Sequence, residues 1–273
     1  TVNFELDGAF AGRLLGAEGG EPVIVPGATA VGVERTTTAA TLRYEPLSLK
    51  FGDMSVGVFD WVGKGSTNAA AGRSAAVVAH DALGKEIYRL TMQNARLIEI
   101  MFDSLDASSN EAVRVSAKIL PGQSIHDLSA KGLYRGETFK QTPLLRSNFR
   151  LYIQGVETAT LKVRTIDPIG LQARPDGLLV PLPLRFTLPL AFAAPLFVWM
   201  NDTLAGKSAL RQGELQMMTR DFSKVAASIA FEQLSILRIS CPVDASGTKS
   251  LQEVEVECLP ATTKFNMGDL LVK

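Results

Sequence analysis

Histidine, cysteine and tryptophan are almost missing from this sequence: two of each in 273 residues. Each scarcity excludes something. A tetrahedral zinc site would need both histidines and both cysteines to converge, or carboxylates to join them, and no Cys-x-x-Cys or His-Glu-x-x-His spacing occurs. His80, at a strand end, and His126, in a linker, are therefore read as surface or turn residues. No metal or cofactor is expected. No Gly-x-Ser-x-Gly and no Walker-type loop is present. Gly63-Lys64-Gly65-Ser66-Thr67 has the glycines of a phosphate loop but follows a helix, where no helix N-terminus faces the anion. No catalytic constellation results, and the chain is read as a non-enzyme.

Charge of one sign is also missing. Lys and Arg number 28, as do Asp and Glu, so no global field draws in nucleic acid or a membrane. No apolar run is long enough for a bilayer; the stretch 188–200 is broken by Pro189 and Pro195. The first residues have neither a basic start nor an apolar core, so no signal peptide is expected. That favours reduced thiols at Cys241 and Cys258, with a disulfide left open. Cys258 continues the alternation of Val254 and Val256 and is expected in the core.

What is there is a repeat. Trp61 and Trp199 lie 138 residues apart (199 − 61 = 138), as do Asp106 and Asp244. Val58-Phe59-Asp60-Trp61-Val62 matches Leu196-Phe197-Val198-Trp199-Met200, and Leu105-Asp106-Ala107-Ser108 matches Val243-Asp244-Ala245-Ser246. Phe4-Glu5-Leu6-Asp7-Gly8 resembles Leu151-Tyr152-Ile153-Gln154-Gly155, so the first copy is nine residues longer before its Trp. Fixed spacing of matched features marks repeated architecture. Two copies mean tandem domains: 1–125 and 147–273, joined by a linker over 126–146.

Period-two alternation predicts strands at 3–6, 42–51, 74–80, 86–92, 95–102 and 112–120 in the first copy. In the second it predicts strands at 150–154, 158–166, 178–188, 215–220, 225–231, 235–241 and 251–259. Short β runs at 23–25 and 31–35 are split by Pro26-Gly27. Thr36, Thr37 and Thr38 belong to an extended arm with almost nothing to bury. Val58, Trp61 and Val62 share one face of a helix over about 55–64, and a second helix spans about 195–204 with Pro195 in its first turn. Each copy is thus expected to be β-rich with one helix, an α+β arrangement. On those helices Trp61 and Trp199 read as core anchors rather than stacking platforms for a sugar or base. Asp106 and Asp244 read as residues that fix a turn through backbone amides.

This order of elements resembles the tube domain of the phage tail tube family. The resemblance is carried by Tyr44-Glu45-Pro46-Leu47-Ser48-Leu49-Lys50-Phe51-Gly52, Phe59-Asp60-Trp61, Gly84-Lys85, Asn94-Ala95 and, most specifically, Leu105-Asp106-Ala107-Ser108-Ser109-Asn110-Glu111. The second copy lacks the Asn-Ala pair and the Glu after its turn. The resemblance implies two tandem tail-tube-like domains, each a β-sandwich or barrel-like sheet with one helix. It implies sheets joined edge to edge in a closed ring, with stacked rings forming a conduit, as in phage tails, pyocins and contractile injection systems. Family tube proteins carry one such domain and form hexamers. Two per chain also resembles the baseplate hub, where three chains supply six domains.

The expected partners are then copies of this chain, a trimer with pseudo-six-fold symmetry favoured over a hexamer, and other tube, hub or spike proteins. Nucleic acid or protein cargo is in transit only. The chain would be made in the cytoplasm and end in a tail or injection particle, with no membrane anchor. Candidate assembly residues are the arm threonines and the polar faces of the closing strands, Arg114 and Lys118 against Glu253, Glu255 and Glu257. A tandem β-sandwich binding module for a glycan or receptor is the alternative; it predicts aromatic loops, whereas these loops hold mainly Gly, Ser, Thr and Ala.

Overall fold

The structure is a computed structural model. It describes residues 1–31, 34–67, 72–128, 143–207, 210–241 and 253–266, with side chains at 26–40 left out. These residues form nineteen β-strands, three α-helices and one 3-10 turn, a predominantly β fold with two barrel-like sheets. The chain divides into two compact units, Thr1–Glu99 with Ser116–Phe139, and Ile100–Val115 with Lys140–Lys273.

In the first copy β1 (Val2–Leu6) and β2 (Ala9–Glu18) form a hairpin through Asp7-Gly8, both at positive φ. Among the described residues, β3 (Pro22–Val31) and β4 (Glu34–Tyr44) pair only with each other, as a two-stranded ribbon. β5 (Leu47–Met54) leads into α1 (Val56–Thr67), and β6 (Arg73–His80) into β7 (Glu86–Phe102). Asp81 shapes the β6–β7 loop by accepting from the amides of Leu83 and Lys85 at 2.9 and 2.8 Å. β8 (Leu105–Asp106), β9 (Val115–Leu120) and β10 (Gln123–Asp127) follow. Strands β7, β6, β1, β2, β5 and β9 neighbour one another in that order, and β9 pairs with β7 again, so six strands close on themselves. Closure leaves no continuous open edge. Inside, Phe4 meets Phe51 edge-to-face at 5.8 Å, among Leu49, Val77 and Met92. α1 buries Val58, Trp61 and Val62, the face that the periodicity predicts.

The second copy has β11 (Phe149–Ile153), a single turn α2 (Glu157–Thr160), β12 (Thr165–Ile166), β13 (Ile169–Ala173), β14 (Leu179–Pro181) and β15 (Leu184–Pro189). A 3-10 turn, α3 (Ala194–Leu204), β16 (Arg211–Met218), β17 (Val225–Ser240), β18 (Glu253–Leu259) and β19 (Thr262–Asn266) complete it. The sheet runs β11-β16-β17-β18-β15-β12-β8, with β19 on β17. Its core centres on Trp199, Phe186 and Phe231, all essentially inaccessible to solvent.

The repeat is visible in the ladders. Phe4 faces Val77 as Leu151 faces Leu215. Gln123 faces Gln93 as Thr262 faces Glu232. The Gly122 amide donates to the Gln93 carbonyl at 3.1 Å, and the Ala261 amide to the Glu232 carbonyl at 3.0 Å. Even backbone strain recurs: Asn94 and Gln233, matched positions in β7 and β17, have φ of 50° and 52°, a region that non-glycine residues rarely enter.

Several expected boundaries move. The residues 86–102 form one strand, not two, because Asn94 turns left-handed without ending the ladder; Gln233 does the same for 225–240. The expected strand 42–51 breaks at Glu45-Pro46, since proline cannot donate to a ladder. Conversely, Pro26 does not end β3: the register shifts between Val25 and Gly27 and pairing continues. Residues 158–166 begin as α2 and only end as β12, so the second copy has two helices where one was expected. The stretch 178–188 breaks at Leu182-Pro183. β10 (Gln123–Asp127) crosses the expected domain end at residue 125, and His126, read in the linker, lies on it with Nδ1 2.9 Å from the Tyr88 hydroxyl. His80, read as a surface or turn residue, does end β6 ahead of the turn but is buried there, and that burial lowers its pKa.

Candidate assembly interface

Leu105 and Asp106 pair with Ile166 and Thr165, and the Ala107 amide donates to the Arg164 carbonyl at 2.9 Å. The end of the first copy is therefore a strand of the second unit's sheet. Leu105 and Ile166 are both fully enclosed. Asp106 accepts from the Ser108 amide at 2.8 Å and its hydroxyl at 2.7 Å, fixing the turn. Those bonds hold its carboxyl below the usual carboxylate range. Beyond the turn, Arg146 donates to Asp103 at 2.7 Å and pairs with Glu111 at 3.1 Å, while Ala112 bridges Leu145. Phe102 stacks on Phe265 at 5.4 Å. The backbone here is close-packed: a side chain at Gly170 would collide with the Ile100 carbonyl.

The polar faces of the closing strands carry opposite charge at matched positions. Lys118 pairs with Glu99 at 2.9 Å. Their counterparts Glu257 and Arg238 pair at 3.7 Å with the polarity inverted, and Glu257 also takes Arg185 at 3.2 Å. Glu253 pairs with Arg164 at 2.9 Å and Glu255 with Arg238 at 3.5 Å. Arg114 is exposed, and its carbonyl accepts from the Asp103 amide at 3.0 Å. Thus the glutamates expected to meet a neighbour already have partners within their own unit, with Glu253 and Glu255 partly in solvent and Glu257 largely covered. Sequence reading missed those arginines; acidic side chains repeating every second residue were the signal for a cross-strand basic row.

Thr36, Thr37 and Thr38 lie on β4 opposite Thr29, Ala28 and Gly27; their side chains, and all of Asp244, lie outside the described residues. Trp61 and Trp199 are buried on α1 and α3, and the Arg211 guanidinium sits 4.7 Å from the Trp199 ring centroid. Cys241 is exposed and Cys258 buried, both as free thiols; burial pushes the Cys258 thiol up to about 12. Among the described residues no group of three or more His, Cys, Asp or Glu is placed to hold a metal ion, and no helix is long and apolar enough to cross a membrane.

No protein-family model matches the chain, and neither does any curated protein. Among solved structures, it is similar to a chain of the PVC sheath–tube complex of an extracellular contractile injection system in the extended state. The identity is 14% and the TM-score 0.41, covering 46% of this chain and 88% of that one. Hcp1 from Flavobacterium johnsoniae gives 13% and 0.34, covering 48% and 97%. A chain of the anti-feeding prophage cap gives 8% and 0.34, covering 50% and 100%. The three neighbours are thus a chain of a sheath–tube complex, an Hcp protein and a tube-terminating cap. Likeness at this level carries no weight for any one function.

Proposed function

We propose that this chain is a structural ring component of a tail or contractile-injection conduit, in which three copies supply six tube-like domains around a central channel. The observation that carries the reading is the duplicated ladder: two copies of one barrel-like sheet, matched in register down to the left-handed residues Asn94 and Gln233. A closed ring is the usual outcome when such copies repeat around an axis. The repeat units are 1–125 and 147–273, with 126–146 between them. The work is assembly, not catalysis, and the channel passes cargo without a binding site for it. The ribbon β3–β4 reaches a neighbouring subunit or ring, since among the described residues it pairs with no other strand. The inverted charge of the closing strands, Lys118 on β9 with Arg114 just before it against Glu253, Glu255 and Glu257 on β18, favours contact between unlike copies.

Negative-stain imaging with native mass spectrometry tests this. Rings with a central hole and three chains each are expected. Six chains per ring would replace the trimer with a hexamer, and the absence of rings would reject the function. The variant Glu253→Lys with Glu255→Lys is expected to fold and to lose assembly.

A further inference from the structure

The pairing of β8 with β12 has an unfilled counterpart at the other end of the chain. β5 and β15 align by their alternating burial, Leu47-Ser48-Leu49 with Leu184-Arg185-Phe186. Thr165 faces Thr187 and Ile166 faces Phe186. Gly16 faces Lys50 and Ala17 faces Leu49. Gly16-Ala17 therefore occupies the place of Thr165-Ile166. In the second unit the far edge of that place is filled by Leu105-Asp106. In the first copy it is not. β1 accompanies β2 only as far as Val2 opposite Leu14. From Gly16 to Glu18, β2 pairs with β5 alone among the described residues.

Exposure records the difference. Ile166 is 0% exposed. Ala17 stands opposite the fully buried Leu49, on the same face, and is exposed with Glu18; Leu15 beside it is 57% exposed. A hydrogen-bonding edge with apolar side chains lies open in a sheet that is otherwise closed.

We propose that this edge accepts the Val243–Asp244 segment of a second copy of the chain. The sequence names the occupant, because Val243-Asp244-Ala245-Ser246 stands 138 residues after Leu105-Asp106-Ala107-Ser108. Residues 243–245 lie outside the described residues; set in the register that Leu105-Asp106 holds within the chain, Val243 would stand opposite Ala17 and Asp244 opposite Gly16. Val243 would shield Ala17 as Leu105 shields Ile166. Each chain then carries one filled joint of this type, one empty acceptor and one donor. Such head-to-tail joints close into a ring when the rotation permits. The inference rests on the ring function above and names its joint: the joint between chains repeats the joint within the chain.

Opposed residues in this register have Cα atoms about 5.5 Å apart, within disulfide range. The test is Ala17→Cys with Val243→Cys in a Cys241→Ser background, oxidised after assembly and run without reductant, beside imaging of the same sample. Covalent dimers and larger multiples, absent when either new cysteine is omitted, are expected. Rings without covalent multiples overturn the joint and leave the ring reading intact. A cross-link confined to single chains overturns the joint as well. Absence of rings in the unmodified protein rejects the ring reading itself, and the joint with it. Ala17→Pro removes the amide that this ladder needs from a strand edge where proline is tolerated. It is expected to abolish assembly with unfolding unchanged, and a variant that still forms rings overturns the proposal.

Discussion

The two copies differ most where their first strands meet the rest of the sheet. In copy one, β1 and β2 form a hairpin and the six strands close. In copy two, the residues matching the first half of β2 form α2 and a turn, β11 and β12 do not pair, and the sheet ends instead on β8. α2 buries Ala159 and Thr160 where the missing half-strand would have lain. One sheet is completed by its own hairpin and the other by a segment that precedes it in sequence. The lesson is that a repeat of sequence need not coincide with a unit of packing: residues 100–115 repeat with copy one and pack with copy two.

Four measurements press on that comparison. Leu105→Ala should have the largest effect, about 2–5 kcal/mol from the cavity it leaves. The loss should appear in the unfolding of the second unit. With Trp61→Phe, Trp199 is the sole indole and reports on that unit; with Trp199→Phe, Trp61 reports on the first. A shift seen only by Trp61 would break the assignment. Gly170→Ala should cost about 1–3 kcal/mol by overpacking against Ile100, again read by Trp199. Smaller and opposite in sign, Gln233→Gly should stabilise by about 0.5–1 kcal/mol by relieving a left-handed residue. Asn94→Gly should gain less, since asparagine tolerates that region better; denaturant midpoints compare the two. Smallest is the charge inversion. Lys118→Glu alone should cost about 0.2–1 kcal/mol, and adding Glu99→Arg should restore it. Failure to restore would mean that the two polarities are not interchangeable.

Much of this was legible beforehand, for physical reasons. The burial of Trp61 and Trp199 is readable because a helix that buries one face writes a 3.6-residue period. Cys258 was placed by the two-residue period of β18. The continuity of β7 and β17 was hidden, since a left-handed residue resets the alternation at Asn94 and Gln233. β12 and β8 are two residues each, too short for any period, and their pairing joins positions about sixty residues apart. The empty edge at Gly16–Glu18 could not be read either, because Ala17 becomes informative only beside its enclosed counterpart Ile166.

The placement of residues 100–115 also sets a timetable. During synthesis, domains fold as they emerge, at roughly 5–20 residues per second. Phe102 and Leu105 leave the ribosome well before Ile166 and Phe265, their eventual cover. At that speed Leu105 waits about 3–12 s for Ile166 and Phe102 about 8–30 s for Phe265, and until then each is a sticky side chain without its cover. A nascent neighbour offering the same Thr165-Ile166 edge could capture Leu105 first. Crowding of many chains on one message therefore exposes this protein to a wrong match between siblings, and slow delivery of single chains protects it.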